Sequence, residues 1–350
     1  MSMIETHRRM NSMKQQHRRP FRNAISATGP SVGFLSAAFA TFGGTETFHR
    51  TLIPRLRRRV NVIGFVATRY LGGDGILLKV PYATGLGAAR ELAEQSDIVV
   101  TWGIDCLRDV LPRSRPKVIS AHHSDWSSEW SNALTLSQLD LVDEIVCVNE
   151  DVSRRIKACC RKPTHYIPNA IDPARILPSG QQSQLRSQFR IAPESKIVLF
   201  GHRLSLEKRP ALAVAIATRL PPDWVMVIAG DGAEKTKIEK LAADCDRVRV
   251  VGRVESLADW LSISACFLSS SSYDGFGLAI GEAMLAGVPT VSTPVGIAPG
   301  LAITLPADST ASAWAAAISD SAAWIQPAGM ADRFSVDRMV SAWADVLKIG

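Results

Sequence analysis

The chain has 350 residues, enough for two domains of ordinary size, and its 46% of hydrophobic residues excludes wholesale disorder. Its 40 Lys and Arg residues exceed its 33 Asp and Glu residues, which gives a formal net charge of +7. The first 22 residues hold six of these cations against one Glu, so the rest of the chain is nearly neutral and we expect no nucleic-acid partner.

Residues 1–23 are basic and lack hydrophobic periodicity, so the sequence predicts a flexible tail. The segment has no apolar core of a secretory signal, and no run of roughly 18 apolar residues occurs in the chain. Six scattered cysteines without a Cys-x-x-Cys spacing are typical of a reduced, cytoplasmic protein without a metal cluster. Two interpretations of the tail stay open: a solvated terminus, and a peripheral tether to the anionic inner face of a membrane.

Short apolar runs alternate with helical patterns along most of the chain. The runs are nearly continuous, as in parallel strands that are buried on both faces. Their alternation with helices predicts α/β units. The predicted strands cover residues 60–67, 97–102, 117–121, 144–148, 196–200, 224–229, 248–251, 265–269 and 289–292.

A segment rich in Pro, Ser, Gly and Gln interrupts this pattern at residues 172–187, and its composition is typical of a linker. We therefore predict one doubly wound domain at residues 24–180 and a second at residues 181–330. Residues 331–350 repeat apolar side chains at helical spacing and predict a last amphipathic helix. Ligands of open α/β sheets bind beyond the carboxyl ends of the strands, so function is expected in the loops there.

The most informative segment follows the predicted strand at residues 265–269 and reads D-G-F-G-L-A-I-G-E-A-M-L-A-G-V-P from Asp274 onward. A helix is predicted to begin near Gly277, and the unpaired N–H groups at a helix start suit a phosphate. Asp274 lies in the loop before this helix, and Glu282 lies more than one turn into it. Two carboxylates beside such a helix start could hold the hydroxyl groups of a sugar nucleotide.

This segment resembles the signature of the retaining glycosyltransferases of group 1 (family 4), in which seven residues separate an acidic residue from a Glu. The resemblance implies the GT-B fold: two doubly wound Rossmann-like domains that face a central cleft, with a C-terminal helix that crosses back to the N-terminal domain. It also implies a nucleotide-diphosphate sugar as donor substrate, with no cofactor and no metal ion. The chain has Asp274 where the family usually has Glu, and Asp is one methylene shorter.

A second match follows the predicted strand at residues 196–200. Arg203 and Lys208 are five residues apart, as in the family pattern G-R-L-x-x-x-K, and His202 stands between Gly201 and Arg203 as a departure from it. A departing nucleoside diphosphate gains negative charge, and two cations in this position can stabilise it.

Two matches lie in the N-terminal half. Gly43 and Gly44 resemble the glycines of the family's first strand–helix loop, where the backbone approaches the diphosphate closely. His122 follows the predicted strand at residues 117–121 and resembles the His that faces the donor sugar in family members, with His123 as the alternative register.

The resemblance covers about residues 30–350 and is densest in the second half. Shorter matches are I-P-N-A-I-D at residues 167–172, A-G-D-G at 229–232 and V-G-R-V at 251–254. By this resemblance, the expected catalytic residues are Asp274, His122, Arg203 and Lys208. The residues expected to bind the donor are Glu282, Gly43, Gly44, Phe276, Gly277, Leu278 and Val254. The expected acceptor is a glycan, a lipid-linked molecule or a small hydroxyl compound.

Three other functions fit parts of the sequence. Residues 84–90 begin like a dinucleotide-binding glycine motif, but Arg90 replaces the third glycine and no predicted strand with a suitable acid accompanies them. Asp244 and Asp246 match the short Asp-x-Asp pattern of metal-dependent glycosyltransferases of another fold. The main alternative is a non-catalytic GT-B protein that binds sugar nucleotides or serves in an assembly, and Asp274, His202 and Ala170 are the departures that favour it.

Overall fold

The computed structural model describes residues 29–40, 43–71, 75–102, 107–112, 114, 116–122 and 139–348. The chain divides into two compact units. The first runs to Pro168 and includes the segment from Asp337 onward, and the second is Asn169–Val336. The division after Pro168 falls before the position predicted from the sequence, and the predicted basic tail lies outside the described residues.

A parallel sheet forms the centre of the first unit, and its described part has seven strands in the order β3-β2-β1-β4-β5-β6-β7. The order reverses at β1, beside β4, as in doubly wound folds. The strands are β1 (Ser31–Ala40), β2 (Asn61–Leu71), β3 (Tyr82–Thr84), β4 (Ile98–Trp102), β5 (Lys117–His122), β6 (Glu144–Cys147) and β7 (Thr164–Tyr166).

Helices connect these parallel strands. They are α1 (Gly44–Leu56), α2 (Leu86–Glu94), α3 (Leu107–Val110) and α4 (Glu150–Cys159), with short 3₁₀ turns at Gly75–Leu78 and Leu139–Leu141. Asn149 caps α4, because its Oδ1 accepts hydrogen bonds from the backbone N–H groups of Asp151 and Val152. Because all of these strands are parallel, the loops that follow them lie at the same edge of the sheet.

Strand β1 is the centre of the sheet, and the sequence did not predict it. It reads SVGFLSAAFA, and its Ser, Ala and Gly residues lack the β-branched character of the other strands. At Gly33 a small residue is needed because α2 and the residues after it pack closely on the strand: a Cβ there would lie 2.3 Å from Ser96 Oγ and 2.9 Å from Leu92 Cγ.

An aromatic cluster fills one face of the first unit and receives the last helix of the chain. This helix, α12 (Val336–Lys348), confirms the predicted amphipathic stretch and buries Trp343 completely. The Trp343 ring lies 5.9 Å from the Trp102 ring and 6.1 Å from the Phe48 ring, measured between centroids. Arg59 Nη1 also donates a hydrogen bond of 2.6 Å to Ser341 Oγ. The C-terminal helix therefore belongs to the core of the first unit.

The second unit has its own parallel sheet, whose described part has the strand order β10-β9-β8-β11-β12-β13. The order reverses at β8, beside β11. The strands are β8 (Lys196–Gly201), β9 (Trp224–Ala229), β10 (Val248–Gly252), β11 (Cys266–Ser269), β12 (Thr290–Ser292) and β13 (Ile303–Thr304). Every strand that the sequence predicted in either unit is present.

The helices of the second unit flank this sheet. They are α5 (Gln182–Gln188), α6 (Pro210–Ala217), α7 (Lys235–Ala243), α8 (Leu257–Leu261), α9 (Leu278–Leu285), α10 (Ala311–Ser319) and α11 (Met330–Arg333), with 3₁₀ turns at Pro173–Ile176, Leu206–Lys208 and Ser321–Ala323. The buried core on one face includes Trp314 between α6, α10 and the strands.

The predicted linker at residues 172–187 was wrong as a connection between domains. It contains the 3₁₀ turn Pro173–Ile176 and most of α5, and all of it belongs to the second unit. Ser179 ties it to α8 through a bond of 3.0 Å from its Oγ to Asp259 Oδ2. Its Pro, Ser and Gly residues serve caps and turns within that unit rather than a mobile connection.

Candidate functional site

The two best sequence motifs meet where the strand order of the second sheet reverses. The loop after β8 carries Lys208, and the loop after the adjacent strand β11 carries Asp274. Lys208 Nζ lies 2.7 Å from Asp274 Oδ2, although 66 residues separate them. The two side chains are 14% and 20% exposed, so this ion pair is partly desolvated yet open to a ligand. Crevices at such a reversal are the usual ligand sites of open α/β sheets.

The second oxygen of Asp274 fixes the start of helix α9. Oδ1 accepts a hydrogen bond of 3.1 Å from the backbone N–H of Gly277, the residue before the helix. Gly277 has a φ of 85°, a left-handed conformation that favours glycine. In this structure the Gly277 N–H is therefore bonded to Asp274 and is not one of the unpaired groups at the helix start.

Hydrogen bonds between the two loops hold Lys208 in place. Ser270 Oγ donates to the carbonyl oxygen of Lys208 at 3.1 Å, and the Ser272 N–H donates to the carbonyl oxygen of Glu207 at 2.7 Å. Arg209, which follows the 3₁₀ turn, has a φ of 55° and donates from Nη1 to Ala307 O. The two loops that carry the ion pair are thus hydrogen-bonded to each other, as a preorganised site requires.

Arg203 lies in the same loop as Lys208, and its side chain is exposed. Its charge acts on Glu207, whose carboxylate accepts a hydrogen bond of 2.6 Å from Ser205 Oγ. Burial opposes ionisation of Glu207, but the Ser205 bond and the charges of Arg203 and Lys208 outweigh it and hold its pKa below the usual value. The loop therefore stays charged at neutral pH, with two cations near the end of β8.

His202, the departure from the family pattern, turns inward. Its ring packs against Phe200 and Phe267, with centroids at 4.9 and 5.3 Å. Burial, and then the charge of Lys208, lower the pKa of His202 to about 3 against the opposing effects of Asp274 and the Leu268 backbone. The imidazole is therefore neutral at physiological pH, and it adds no charge to the site.

Glu282 is buried on helix α9 and has an ionic partner that the sequence did not indicate. Arg175, in the turn Pro173–Ile176, donates from Nε to Glu282 Oε1 at 2.6 Å. Burial raises the pKa of Glu282, and the charge and hydrogen bond of Arg175 oppose that rise. The sequence signal that could have found Arg175 is the match at residues 167–172, which ends three residues before it.

The remaining predicted donor-binding residues of this unit differ in accessibility. Phe276 is buried with its ring against Phe334 at 5.6 Å, and its carbonyl oxygen accepts from the Ile297 N–H at 2.9 Å. Leu278 begins α9 and is half-buried, as is Val254 in the loop after β10. Phe276 therefore belongs to the buried side of the loop before α9, whereas Leu278 and Val254 are partly exposed to solvent.

In the first unit, Gly43 and Gly44 stand where the strand order of that sheet reverses. Helix α1 begins at Gly44, and a Cβ on Gly43 would lie 2.2 Å from Glu46 Oε2, so a larger residue at position 43 would require the Glu46 carboxylate to move. His122 is the last residue of β5. Its side chain and the alternative His123 lie outside the described part of the structure.

The structure also places the motifs of the other functions. A strand that the sequence did not predict, β3, ends at Thr84, where the glycine segment at residues 84–90 begins. Arg90 stands at the position of the third glycine, and its Nε donates a hydrogen bond of 2.6 Å to the carbonyl oxygen of Asp109. Asp244 and Asp246 precede β10 and so lie at the amino end of their sheet, away from the Lys208–Asp274 pair.

The described ranges contain neither a metal-binding cluster nor a helix that could span a membrane. These residues contain no cluster of three or more His, Cys, Asp or Glu side chains that could hold a metal ion. No described helix is both long and apolar enough to cross a bilayer.

Comparison with known proteins agrees with the motifs. Residues 181–305 match the family model described as Glycosyl transferases group 1. The lipopolysaccharide core biosynthesis mannosyltransferase LpsB of Rhizobium meliloti (strain 1021) is 28% identical over 202 residues, which are 54% of this chain and 55% of LpsB. The match therefore spans about half the length of that relative.

Solved structures resemble the fold over most of the chain. Anabaena HepE in complex with UDP and glucose gives a TM-score of 0.78 at 19% identity, covering 91% of this chain and 99% of that one. WaaG, a glycosyltransferase involved in lipopolysaccharide biosynthesis, gives 0.67 at 14% identity, covering 91% and 100%. The fold is GT-B, as predicted. The likeness to these structures concerns the fold, and the family match is confined to residues 181–305.

Proposed function

We propose that the protein is a retaining glycosyltransferase that moves a sugar from a nucleotide-diphosphate donor to a hydroxyl acceptor without a metal ion. The observation that carries this proposal is the Lys208–Asp274 ion pair at the strand-order reversal of the second sheet, with Arg203 in the same loop. The bound UDP in the HepE structures and the mannosyltransferase name of LpsB support a nucleotide-sugar donor.

The proposed roles follow from charge and position. Arg203 and Lys208 stabilise the diphosphate as it gains charge, since cations preorganised at a leaving group lower the barrier most where charge develops. Asp274 binds hydroxyl groups of the donor sugar, and Glu282 binds those of the ribose. The two cations take the part that a metal ion plays in other transferases.

The remaining roles belong to the first unit and to the acceptor. Gly43 and Gly44 let the backbone approach the donor, and His122 binds its sugar. The acceptor hydroxyl attacks from the face that the nucleotide leaves, which retains the configuration at the anomeric carbon and requires no covalent intermediate with the protein. The acceptor is a glycan, a lipid-linked molecule or a small hydroxyl compound. The alternative, a non-catalytic sugar-nucleotide binder, is not favoured by the enzyme relatives.

Donor binding tests the proposal. A panel of nucleoside diphosphates and their sugars should include at least one that raises the melting temperature, because a ligand of the native state stabilises it. Glu282→Ala should lower the affinity for that ligand at least about tenfold, since roughly 1.4 kcal/mol is typical of a hydrogen bond to a charged group. Titration calorimetry measures it, and Glu239→Ala, an exposed carboxylate on α7, is the matched control. Equal affinity of the Glu282 variant and the wild type would contradict the assignment.

We also propose a peripheral contact with anionic membranes through the six cations of the first 22 residues. Each cation near an anionic surface contributes about 1 kcal/mol, and salt screens the attraction. Deletion of residues 1–22 should weaken co-sedimentation with vesicles rich in phosphatidylserine at low salt, while nucleotide affinity stays unchanged. Equal sedimentation of both forms would remove the membrane role.

A further inference from the structure

The partner of Glu282 is an arginine that reaches it from the surface. The Arg175 side chain is 47% exposed, whereas the Glu282 side chain is 5% exposed, and Nε lies 2.6 Å from Oε1. The bond engages one carboxylate oxygen, Oε1. A buried carboxylate needs such a partner, because burial favours its neutral form.

The turn that carries Arg175 is fixed against helix α9. Asp172 begins the turn, with Oδ1 accepting from the Ala174 N–H at 3.1 Å and its carbonyl oxygen accepting from the Arg175 N–H at 2.9 Å. Just before it, Ile171 packs on the helix so closely that a Cβ on Gly281 would lie 2.5 Å from its Cδ1. The backbone that carries Arg175 is therefore fixed beside α9, and the bond to Oε1 places the guanidinium on Glu282.

Few other titratable groups face this carboxylate from the elements packed on α9. Asp172 is engaged at the start of its own turn. Cys266 on β11 keeps its proton, because burial raises the pKa of its thiol to about 12. Strand β12 reads Thr-Val-Ser and contributes none. The Lys208–Asp274 pair lies before the helix start, and Arg175 is the charged group that acts on the pKa of Glu282.

We propose that Arg175 is a positioning residue, which keeps Glu282 ionised so that its carboxylate can accept hydrogen bonds from the ribose of the donor. This inference rests on the proposed function, in which Glu282 binds the ribose. An ionised carboxylate accepts from both ribose hydroxyls, whereas a protonated one loses acceptor capacity and presents a donor instead. Arg175 touches the carboxylate and need not touch the donor.

The pH dependence of nucleotide affinity tests the role. The probes are UDP and GDP, each titrated by calorimetry between about pH 5.5 and 8.5. In Arg175→Leu, the midpoint at which affinity is lost on acidification should move up by about one pH unit or more, since a neighbouring arginine lowers a carboxyl pKa by roughly that amount. The affinity at the highest pH should approach that of the wild type. Arg175→Lys, which keeps the charge, should restore most of the wild-type profile.

Two controls separate this role from a structural one. The 2′,3′-dideoxy forms of both nucleotides lack the ribose hydroxyls, so their weaker binding should show no change of midpoint in Arg175→Leu. Glu282→Gln, which does not titrate, should bind weakly at every pH, whether or not Arg175 is present. Melting curves establish that each variant is folded.

The outcomes are distinct. A uniform loss of affinity at every pH in Arg175→Leu, or an unchanged profile, overturns the positioning role while leaving the proposed function intact. Failure of the wild-type protein to bind either nucleotide, or any other nucleoside diphosphate, would instead overturn the proposed function, and this inference with it.

Discussion

Lys208→Ala is expected to reduce turnover of the donor by about 100- to 1000-fold, the usual loss when one preorganised group that stabilises developing charge is removed. In the native site Lys208 Nζ pairs with Asp274 Oδ2 at 2.7 Å in a partly buried position. Removal of the ammonium group deprives the diphosphate of a cation and leaves the Asp274 carboxylate without its counterion. That carboxylate would then repel the phosphates. Both effects act in the same direction, which makes this the largest kinetic change that we expect from one side chain.

The measurement is release of nucleoside diphosphate in a coupled assay, with the wild type and the variant compared at saturating donor. Lys240→Ala is the matched control, because Lys240 is exposed on α7. It should leave turnover within a factor of about two, since exposed charges distant from a site are nearly neutral to function. A Lys208 variant with turnover close to that of the wild type would contradict the proposed role of the ion pair.

Trp343→Ala is expected to lower the free energy of unfolding of the first unit by about 3–5 kcal/mol, the range for truncation of a large buried aromatic side chain. The indole is fully buried and lies 5.9 Å from the Trp102 ring and 6.1 Å from the Phe48 ring. Its loss leaves a cavity and also loosens α12, which joins the first unit although it follows the second in sequence.

Urea unfolding, followed by circular dichroism, measures this change, with each transition of the two-unit chain fitted separately. Ile325→Ala provides the contrast, because Ile325 is 85% exposed and its truncation should change the free energy of unfolding by less than about 0.5 kcal/mol. A Trp343 variant as stable as the Ile325 variant would show that α12 is not part of the core of the first unit.

The long buried strands were predictable from the sequence because apolar side chains cover both of their faces. Strands β4, β8, β9 and β11 contain the uninterrupted apolar runs Ile-Val-Val, Ile-Val-Leu-Phe, Val-Met-Val-Ile and Cys-Phe-Leu. Strand β5 contributes the shorter pair Val118 and Ile119. Strand β1 escaped prediction because close packing of α2 selects small residues there, such as Gly33. The edge strands β3, β7 and β13 have only two or three residues, which is too short for any period to show.

The candidate site was predictable where a motif carries its own spacing. Asp274 and Lys208 were each placed after a strand, and the adjacency of β8 and β11 brings them together. Arg175 was not predictable, since its role depends on a turn that folds onto α9 from more than 100 residues away in sequence. The inward orientation of His202 likewise depends on Phe200 and Phe267, which lie on two adjacent strands.

Whether the protein transfers sugar with retention and without a metal ion can be read from the anomeric configuration of the product that it releases in the presence of EDTA. The full-length protein is incubated in excess EDTA with α-linked nucleotide-diphosphate sugars, and proton NMR follows the sugar that is transferred to water before it mutarotates. The α-anomer is expected to appear first, at a rate that EDTA does not change. First appearance of the β-anomer, restoration of activity only by added Mn²⁺, or binding of the donor without any release of sugar would each contradict it.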